Sequence, residues 1–460
     1  MGGAEIHASS FRDPSGFIYK KDGKLFRQIN KSYQENFDHF ISSGLYQKLL
    51  KKQLIIPHTE VALDNAFDNR AYKIIEPDEI GFISYPYEFS FSQLKDTALA
   101  TLKIQKEAIN KGMTLKDASS YNIQFHHGNH LLIDTLSFEI YKEGAPWVAY
   151  RQFCQHFLAP LVLIKYKDVR LINLMRVHID GIPLDLASEL LPRRSYLSFA
   201  VLSHIHLHAM SQKKYESRPE TKVGKNMSRQ AMLGLIDNLE SFIAKLNWKT
   251  GSTEWGEYYE ETNYSEDSMK HKLELVKEFL ESAKPVKLWD MGANRGLFSR
   301  VASEMGIFTV SFDIDYLAVE KNYLEVKNKK ETNLLPLHLD LTNPSPSIGW
   351  ANNERMSLLE RANCDLVMAL ALIHHLAISN NLPLDKIASF FASISDSLII
   401  EFVPKSDSQV KRLLFSREDI FDNYDIRNFE IQFETHFKII RKENVKNSER
   451  TLYLMRKKES

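Results

Sequence analysis

The chain has no excess of either charge: 59 Lys and Arg balance 59 Asp and Glu over 460 residues. That balance removes the bulk attraction by which nucleic acids and anionic membranes hold basic proteins, so neither is expected as a partner, although local basic patches can still form. There are 2 cysteines. Cys154 and Cys364 lie far apart in apolar runs, and two free buried thiols are expected in place of a disulfide. No apolar run is long enough to span a bilayer; Phe157 to Ile164 falls far short of the roughly 20 residues required. The N-terminus has no apolar signal core, and Ile6 stands where a myristoylation motif wants Ser or Thr, so a cytosolic chain is expected. Metal-ligand spacing is missing as well. His204 and His208 share a helical face, but no carboxylate or third ligand is spaced beside them and no HExxH occurs, so no metal is expected. The length itself suggests two or three domains.

Against these absences, residues 286–313 are dense in information. A short apolar strand from Val286 to Trp289 runs into Asp290 and then Gly292-Ala293-Asn294-Arg295-Gly296. A helix-compatible run follows, then a second strand (Ile307 to Phe312) ending in Asp313. Strand, glycine turn, helix, strand and acid form the layout of a nucleotide-cofactor crevice in an open parallel sheet. Glycines let the backbone approach a ligand, and the second acid can take both hydroxyls of a ribose. The dinucleotide fingerprint fails, because Asn294 and Leu297 occupy two of its three glycine positions. A Walker loop fails too, for want of Gly-Lys-Ser/Thr.

The pattern D-x-G-x-N-x-G resembles motif I of the class I methyltransferases that use S-adenosylmethionine (SAM). That ligand carries a sulfonium cation and no phosphate, which suits an acidic strand end without Lys. The resemblance continues in order through residues 281–460. Leu334 to Leu341 is a third strand, in which Asp340 stands where such enzymes bind the adenine amino group. Cys364 to Ala371 is a continuous apolar strand running into Leu372-Ile373-His374-His375-Leu376. Leu398 to Val403 is a fifth strand, and Phe437 to Val445 with Thr451 to Met455 read as a closing hairpin. The resemblance implies a Rossmann-like α/β domain of seven strands. It implies cofactor contacts from Asp290, Gly292, Asn294, Gly296, Asp313, Ile314, Asp340, Leu341 and Ala369. His374 and His375 follow the fourth strand, where substrate would meet cofactor, and are the candidate general bases; the alternative is that they cap or pack the next helix.

Residues 1–215 are organised differently. Phe17-Ile18-Tyr19 and Lys24 to Ile29 flank Lys20-Lys21-Asp22-Gly23 as a hairpin. Tyr33 to Lys52 has helical spacing, Ile80 to Tyr85 reads as a strand broken by Pro86, and Thr97 to Asn110 is a helix stopped by Gly112. Asp117-x4-Asn122, followed by the strand-terminal Asp134, resembles the catalytic core of protein-kinase-like and aminoglycoside-phosphotransferase-like α+β folds. There the first acid receives a hydroxyl proton, while the Asn and last Asp hold magnesium on nucleotide phosphates. Arg27 stands where such folds offer a phosphate-binding Lys, and its planar fork is not equivalent. Gly16 is the single glycine of the covering hairpin, and Thr135-Leu136 replaces Phe-Gly. Both an active phosphotransferase and a degenerate module for docking remain open at this level.

As a whole, the segments Ser10 to Phe17, Phe82 to Asp96, Pro146 to Leu161 and Ile179 to Ser188 resemble a two-domain bacterial family related to nodulation host-specificity proteins of the methyltransferase type. That resemblance implies a SAM-dependent methyltransferase with an accessory N-terminal domain. The expected layout is a kinase-like accessory domain (1–215), a linker and helical segment (216–280) and a methyltransferase domain (281–460). Trp255, Tyr259 and Tyr264 are candidates to cover the cofactor or to pack a seam between domains. A small-molecule O or N acceptor is the expected substrate. The rival classes are a bifunctional protein with an active phosphotransferase, and a non-catalytic SAM-gated interaction protein. Oligomeric state is not legible.

Overall fold

The computed structural model describes residues 3–210, 227–248, 265–415 and 417–459. The chain divides into two compact units, Met1–Lys249 with Ser347–Arg355, and Thr250–Pro346 with Met356–Ser460. The expected linker segment 216–280 is therefore not one element. Helix Arg229–Ala244 belongs to the first unit, where Asp237 pairs with Lys106 at 2.5 Å, and helix Glu266–Ala283 belongs to the second.

In the first unit, β1 (Glu5–Ile6), β2 (Gly16–Lys21), β3 (Lys24–Asn30), β4 (His58–Val61) and β5 (Ala71–Pro77) form a five-stranded sheet in the order β1-β2-β3-β5-β4. All its pairings are antiparallel. The hairpin joining β2 and β3 turns on Asp22 (φ 51°) and Gly23 (φ 79°), the backbone that matches strand twist in a two-residue loop. Tyr33 to Lys52 is not one helix. Gly44, at φ 74°, separates helix Gln34–Ser42 from helix Leu45–Lys51.

Ile80 to Tyr85 is not a strand either; the ladder is completed by β4, short and polar, and β5, which buries Ile74 and Ile75. The backbone of Ser84 is satisfied by a side chain instead, donating to Gln124 Oε1 and accepting from Gln124 Nε2, both at 2.9 Å. Helix Phe91–Asn110 starts at Ser90, whose hydroxyl accepts from Gln93 N while the Gln93 side chain accepts from Ser90 N. Beyond it, β6 (Met113–Leu115) pairs with β9 (Phe138–Ile140), and β7 (Ile123–His126) with β8 (Asn129–Leu132).

The second unit is built on β10 (Lys287–Met291), β11 (Phe308–Asp313), β12 (Leu334–His338), β13 (Leu366–Ala369), β14 (Ser397–Phe402), β15 (Phe437–Asn444) and β16 (Thr451–Lys457). These form a seven-stranded sheet in the order β12-β11-β10-β13-β14-β16-β15. The strands from β12 to β14 run parallel, and β16 enters antiparallel between β14 and β15. Every residue of β13 is buried, as a central parallel strand covered on both faces requires. Leu288, Leu366, Met368 and Ile399 pack against Val276 and Phe279 of helix Glu266–Ala283. The chain order reverses between β10 and β13, and this is where an open parallel sheet leaves a crevice at its carboxyl edge.

Candidate functional site

A cavity of about 400 Å³ opens at that edge. Its floor is the turn after β10, where Gly292 (φ 81°), Asn294 (φ 50°) and Gly296 (φ 76°) hold left-handed conformations. Gly292 N and Ala293 N both donate to Phe312 O at 2.9 Å, folding the turn against β11. Asn294 N donates to Asp313 Oδ2 at 2.7 Å and Asp315 N to Asp313 Oδ1 at 2.8 Å, so this carboxylate also ties the turn to the end of β11. Asp290 lies beneath and accepts from Ser299 Oγ at 2.5 Å.

Both acids are buried, and their electrostatics are alike. Burial pushes Asp290 up to about 7, with the negative Asp313 nearby adding to the rise. Burial likewise raises Asp313 to about 6, against the backbone donors that favour its ionised form. Two residues past β12, Asp340 accepts from Thr342 N at 2.9 Å and Thr342 Oγ1 at 2.7 Å. The wall past β13 is Leu370, Ala371 and Leu372, followed by His375 and Leu376.

Of the residues singled out from sequence, Asp290, Gly292, Asn294, Asp313, Ile314, Asp340, Leu341 and His375 line this one cavity. Gly296, Ala369 and His374 are not among its lining. A Cβ on Gly296 would sit 2.6 Å from Asn322 Nδ2, so that glycine serves close packing at the start of helix Leu297–Glu304. Ala369 is wholly buried in β13, one residue short of the wall. His374 is 2% exposed, its Nδ1 has no hydrogen-bond partner, and burial, His375, Arg450 and Lys272 hold its pKa well below 6.5. His375 is lowered to about 4 by burial and by Arg450, and is therefore neutral near pH 7. Trp255, Tyr259 and Tyr264 lie outside the described residues.

Two ionisable residues at this site escaped the sequence reading. Lys272 lines the cavity, and its Nζ stands 2.7 Å from Oε2 of Glu401 in β14 and 4.8 Å from the centre of the Phe298 ring. The signals were present: a Lys on the apolar face that carries Met269, Val276 and Leu280, and a Glu inside the apolar run Leu398 to Val403.

In the first unit the quartet Arg27, Asp117, Asn122 and Asp134 comes together. Asp117 follows β6, Asp134 follows β8, and Arg27 on β3 forms an ion pair with Asp134. Ser137 Oγ donates to Asp134 Oδ2 at 2.6 Å, and Leu136 N to Oδ1 at 3.2 Å. Burial alone would raise Asp134, but Arg27 and these donors bring it below its ordinary value. Asp117 is raised, by burial and then by Asp134. It accepts from Asn122 Nδ2 at 3.1 Å and Gln152 Nε2 at 2.7 Å. Gln152 was missed because nothing local marks a residue that distant in sequence.

Residues 347–355 cluster with this unit. Glu354 pairs with Arg12 at 2.5 Å, and the Arg355 guanidinium lies 4.4 Å from the Tyr121 ring centre, beside Asn122 in sequence. Of His204, His206 and His208, the first two are engaged in hydrogen bonding, while His208 Nδ1 has no hydrogen-bond partner among the described residues. His204 meets Tyr150 and Asn238, and His206 meets Ser188 and Ser195.

The fold and its cavity thus define an open parallel-sheet protein with an acid-lined crevice at its carboxyl edge, preceded by a second unit built on an antiparallel sheet. The chain is 33% identical to nodulation protein NoeA of Rhizobium meliloti (strain 1021) over 461 aligned positions, covering 98% of this chain and 96% of that protein, and it belongs to the NoeA family. No protein-family model matches the sequence. Among solved structures, the bifunctional kinase-methyltransferase WbdD is similar at 16% identity and TM-score 0.29, over 42% of this chain and 40% of WbdD. The magnesium protoporphyrin IX methyltransferase ChlM from Synechocystis PCC 6803, solved with bound SAH, is similar at 14% identity and TM-score 0.32, over 46% of this chain and 91% of ChlM. Likenesses at that level carry no argument about this chain.

Proposed function

We propose that this protein is a SAM-dependent methyltransferase of the class I type, acting on an O or N acceptor of a small molecule. The observation that carries the reading is the pair of buried acids, Asp290 and Asp313. Both line the cavity beside the glycine turn, and burial raises both toward neutrality. Acids so desolvated favour a cationic, hydroxyl-bearing ligand over a phosphate, which they would repel. Asp313 keeps accepting capacity beyond its two backbone donors, since a carboxylate offers about four lone-pair directions.

SAM supplies an electrophilic methyl group on a sulfonium, which passes to a nucleophile in line. The protein's contribution is orientation in a closed site, an effect that can supply about 7–11 kcal/mol. Asp313 and Asp340 would hold the nucleoside end, and Gly292 lets the backbone approach. His375, on the wall past β13, is our candidate to accept a proton from an acceptor hydroxyl or ammonium, a role that the burial lowering its pKa to about 4 opposes in the free protein. The test is calorimetry with SAM and with NAD on the full chain, followed by incubation with methyl-labelled SAM and fractionated extract. Tight NAD binding without SAM binding would sink the assignment.

The first unit we read as a kinase-like module that docks substrate or partner. In it the Arg27 guanidinium already neutralises Asp134, the acid that a phosphotransferase would turn toward magnesium, while Ser137 Oγ and Leu136 N donate to its oxygens. Purified protein should then hydrolyse no ATP. Magnesium-dependent ATP turnover that disappears in Asp117→Asn would establish the bifunctional alternative. A cytosolic location belongs to the same reading; among the described residues no helix is long and apolar enough to cross a membrane.

A further inference from the structure

We propose that Glu401, charge-balanced by Lys272, is a positioning residue that sets the cavity wall at Leu370-Ala371-Leu372; the inference rests on the SAM reading of that cavity. The two side chains are 0% and 2% exposed. Burying both charges carries a desolvation cost that an ion pair often only just offsets, and an apolar pair of similar volume would serve stability as well. Some other role should therefore attach to the carboxylate.

Its second contact supplies one. Glu401 Oε2 accepts from Lys272 Nζ and also from Ala371 N, each at 2.7 Å. Ala371 stands at φ 49°, a left-handed conformation that a residue with a Cβ adopts only when its surroundings dictate it. A buried carboxylate gripping the N–H is such a constraint. It holds the chain where Leu370 and Leu372 flank the cavity, and where Leu372 Cδ1 lies 3.3 Å from the Cβ position of Gly292. The acid in the middle of β14 thus shapes the wall that faces the glycine turn, without itself being part of the cavity lining. Burial lowers the Lys272 pKa while Glu401 opposes that fall, so the two groups sustain each other in the interior.

The experiment compares two doubly neutral variants of the full chain, because a single substitution would strand one buried charge and unfold the protein. Lys272→Met with Glu401→Gln keeps an acceptor for Ala371 N, whereas Lys272→Met with Glu401→Leu removes it. Both lack the Lys272 ammonium, so their difference reports the loss of a side-chain acceptor at position 401, and exchange at Ala371 reads that contact directly. Calorimetry with SAM should find the Leu double variant at least about tenfold weaker than the Gln double variant, the ratio expected for one buried hydrogen bond. Hydrogen exchange over residues 366–376 should be faster in the Leu variant alone. Equal SAM affinities in two folded variants would overturn the proposal, leaving the pair a packing device. Should wild-type protein bind no SAM, the cofactor reading falls by itself; exchange then decides, with equal rates overturning the positioning role and faster exchange in the Leu variant upholding it.

Discussion

Asp134 in the first unit, half-buried, and Asp313 in the second, buried, are acids that follow a β-strand, and their surroundings treat them oppositely. Asp134 meets a guanidinium and two further donors, and its pKa falls. Asp313 meets backbone N–H groups and no cation, and its pKa rises to about 6. A buried acid that already has its counter-charge is a structural clamp. One that lacks it stores unfavourable electrostatic free energy that a cationic ligand can release. In the proposed function, methyl transfer belongs to the second unit and docking to the first.

The largest effect that could break this comparison lies in the clamp. Arg27→Met should destabilise the first unit by about 3–5 kcal/mol, since one partner of a nearly buried pair is left behind, and Arg27→Met with Asp134→Leu should recover most of the loss. Urea unfolding of the full chain reads both, and an unchanged midpoint in the single variant would show that the pair clamps nothing.

Next comes Gly292→Val, expected to weaken SAM binding by roughly 100-fold or more, because a β-branched residue at φ 81° is strained and its Cβ would press on Leu372. Calorimetry beside a circular dichroism check of folding separates lost binding from lost structure. Asp313→Ala should follow, at about 1.5–3 kcal/mol for each charge-assisted bond lost, and it also frees Asn294 N and Asp315 N. Unchanged affinity there would make the acid a strand cap and erase its contrast with Asp134.

A pH series sharpens the comparison further. Asp290 rises from 3.8 to about 7 and Asp313 from 3.8 to about 6 on folding. Native protein then holds protons that the unfolded chain has released, so in the absence of ligand these acids stabilise the fold at low pH, and that contribution is lost as pH rises through about 6 to 7. A cationic ligand prefers the ionised forms, so SAM affinity should change in the opposite sense, falling about tenfold or more between pH 8 and pH 5, with protons released on binding near pH 6.5. Affinity independent of pH would mean that the ligand does not meet these acids. The smallest effect is expected for Asp340→Ala, about 1 kcal/mol or roughly fivefold in SAM affinity, since this half-buried side chain makes one contact among several.

Much of the second unit could be read before folding. Period and order of apolar runs marked its strands, and the spacing of Asp290, Gly292, Asn294 and Asp313 marked the crevice, because a glycine turn between strand and helix is encoded within a few consecutive residues. The first unit was less legible where strands were short and polar. β4 (His58-Thr59-Glu60-Val61) shows no apolar alternation, and the extended backbone at Ser84 is satisfied by Gln124 from a different hairpin.

By itself the sequence determined the crevice, its acids and the quartet of the first unit, since each rests on local spacing along one strand and turn. Only the tertiary structure decided that His375 lines the cavity while His374 is buried, because on the helical turn that starts there successive residues point about 100° apart. It also decided that Arg27 closes on Asp134 from 107 residues away, and that Glu401 reaches Lys272 across 129 residues and Ala371 across 30. Those pairings depend on which strands and helices become neighbours in space, and ion pairs of that kind leave no periodic trace along the chain.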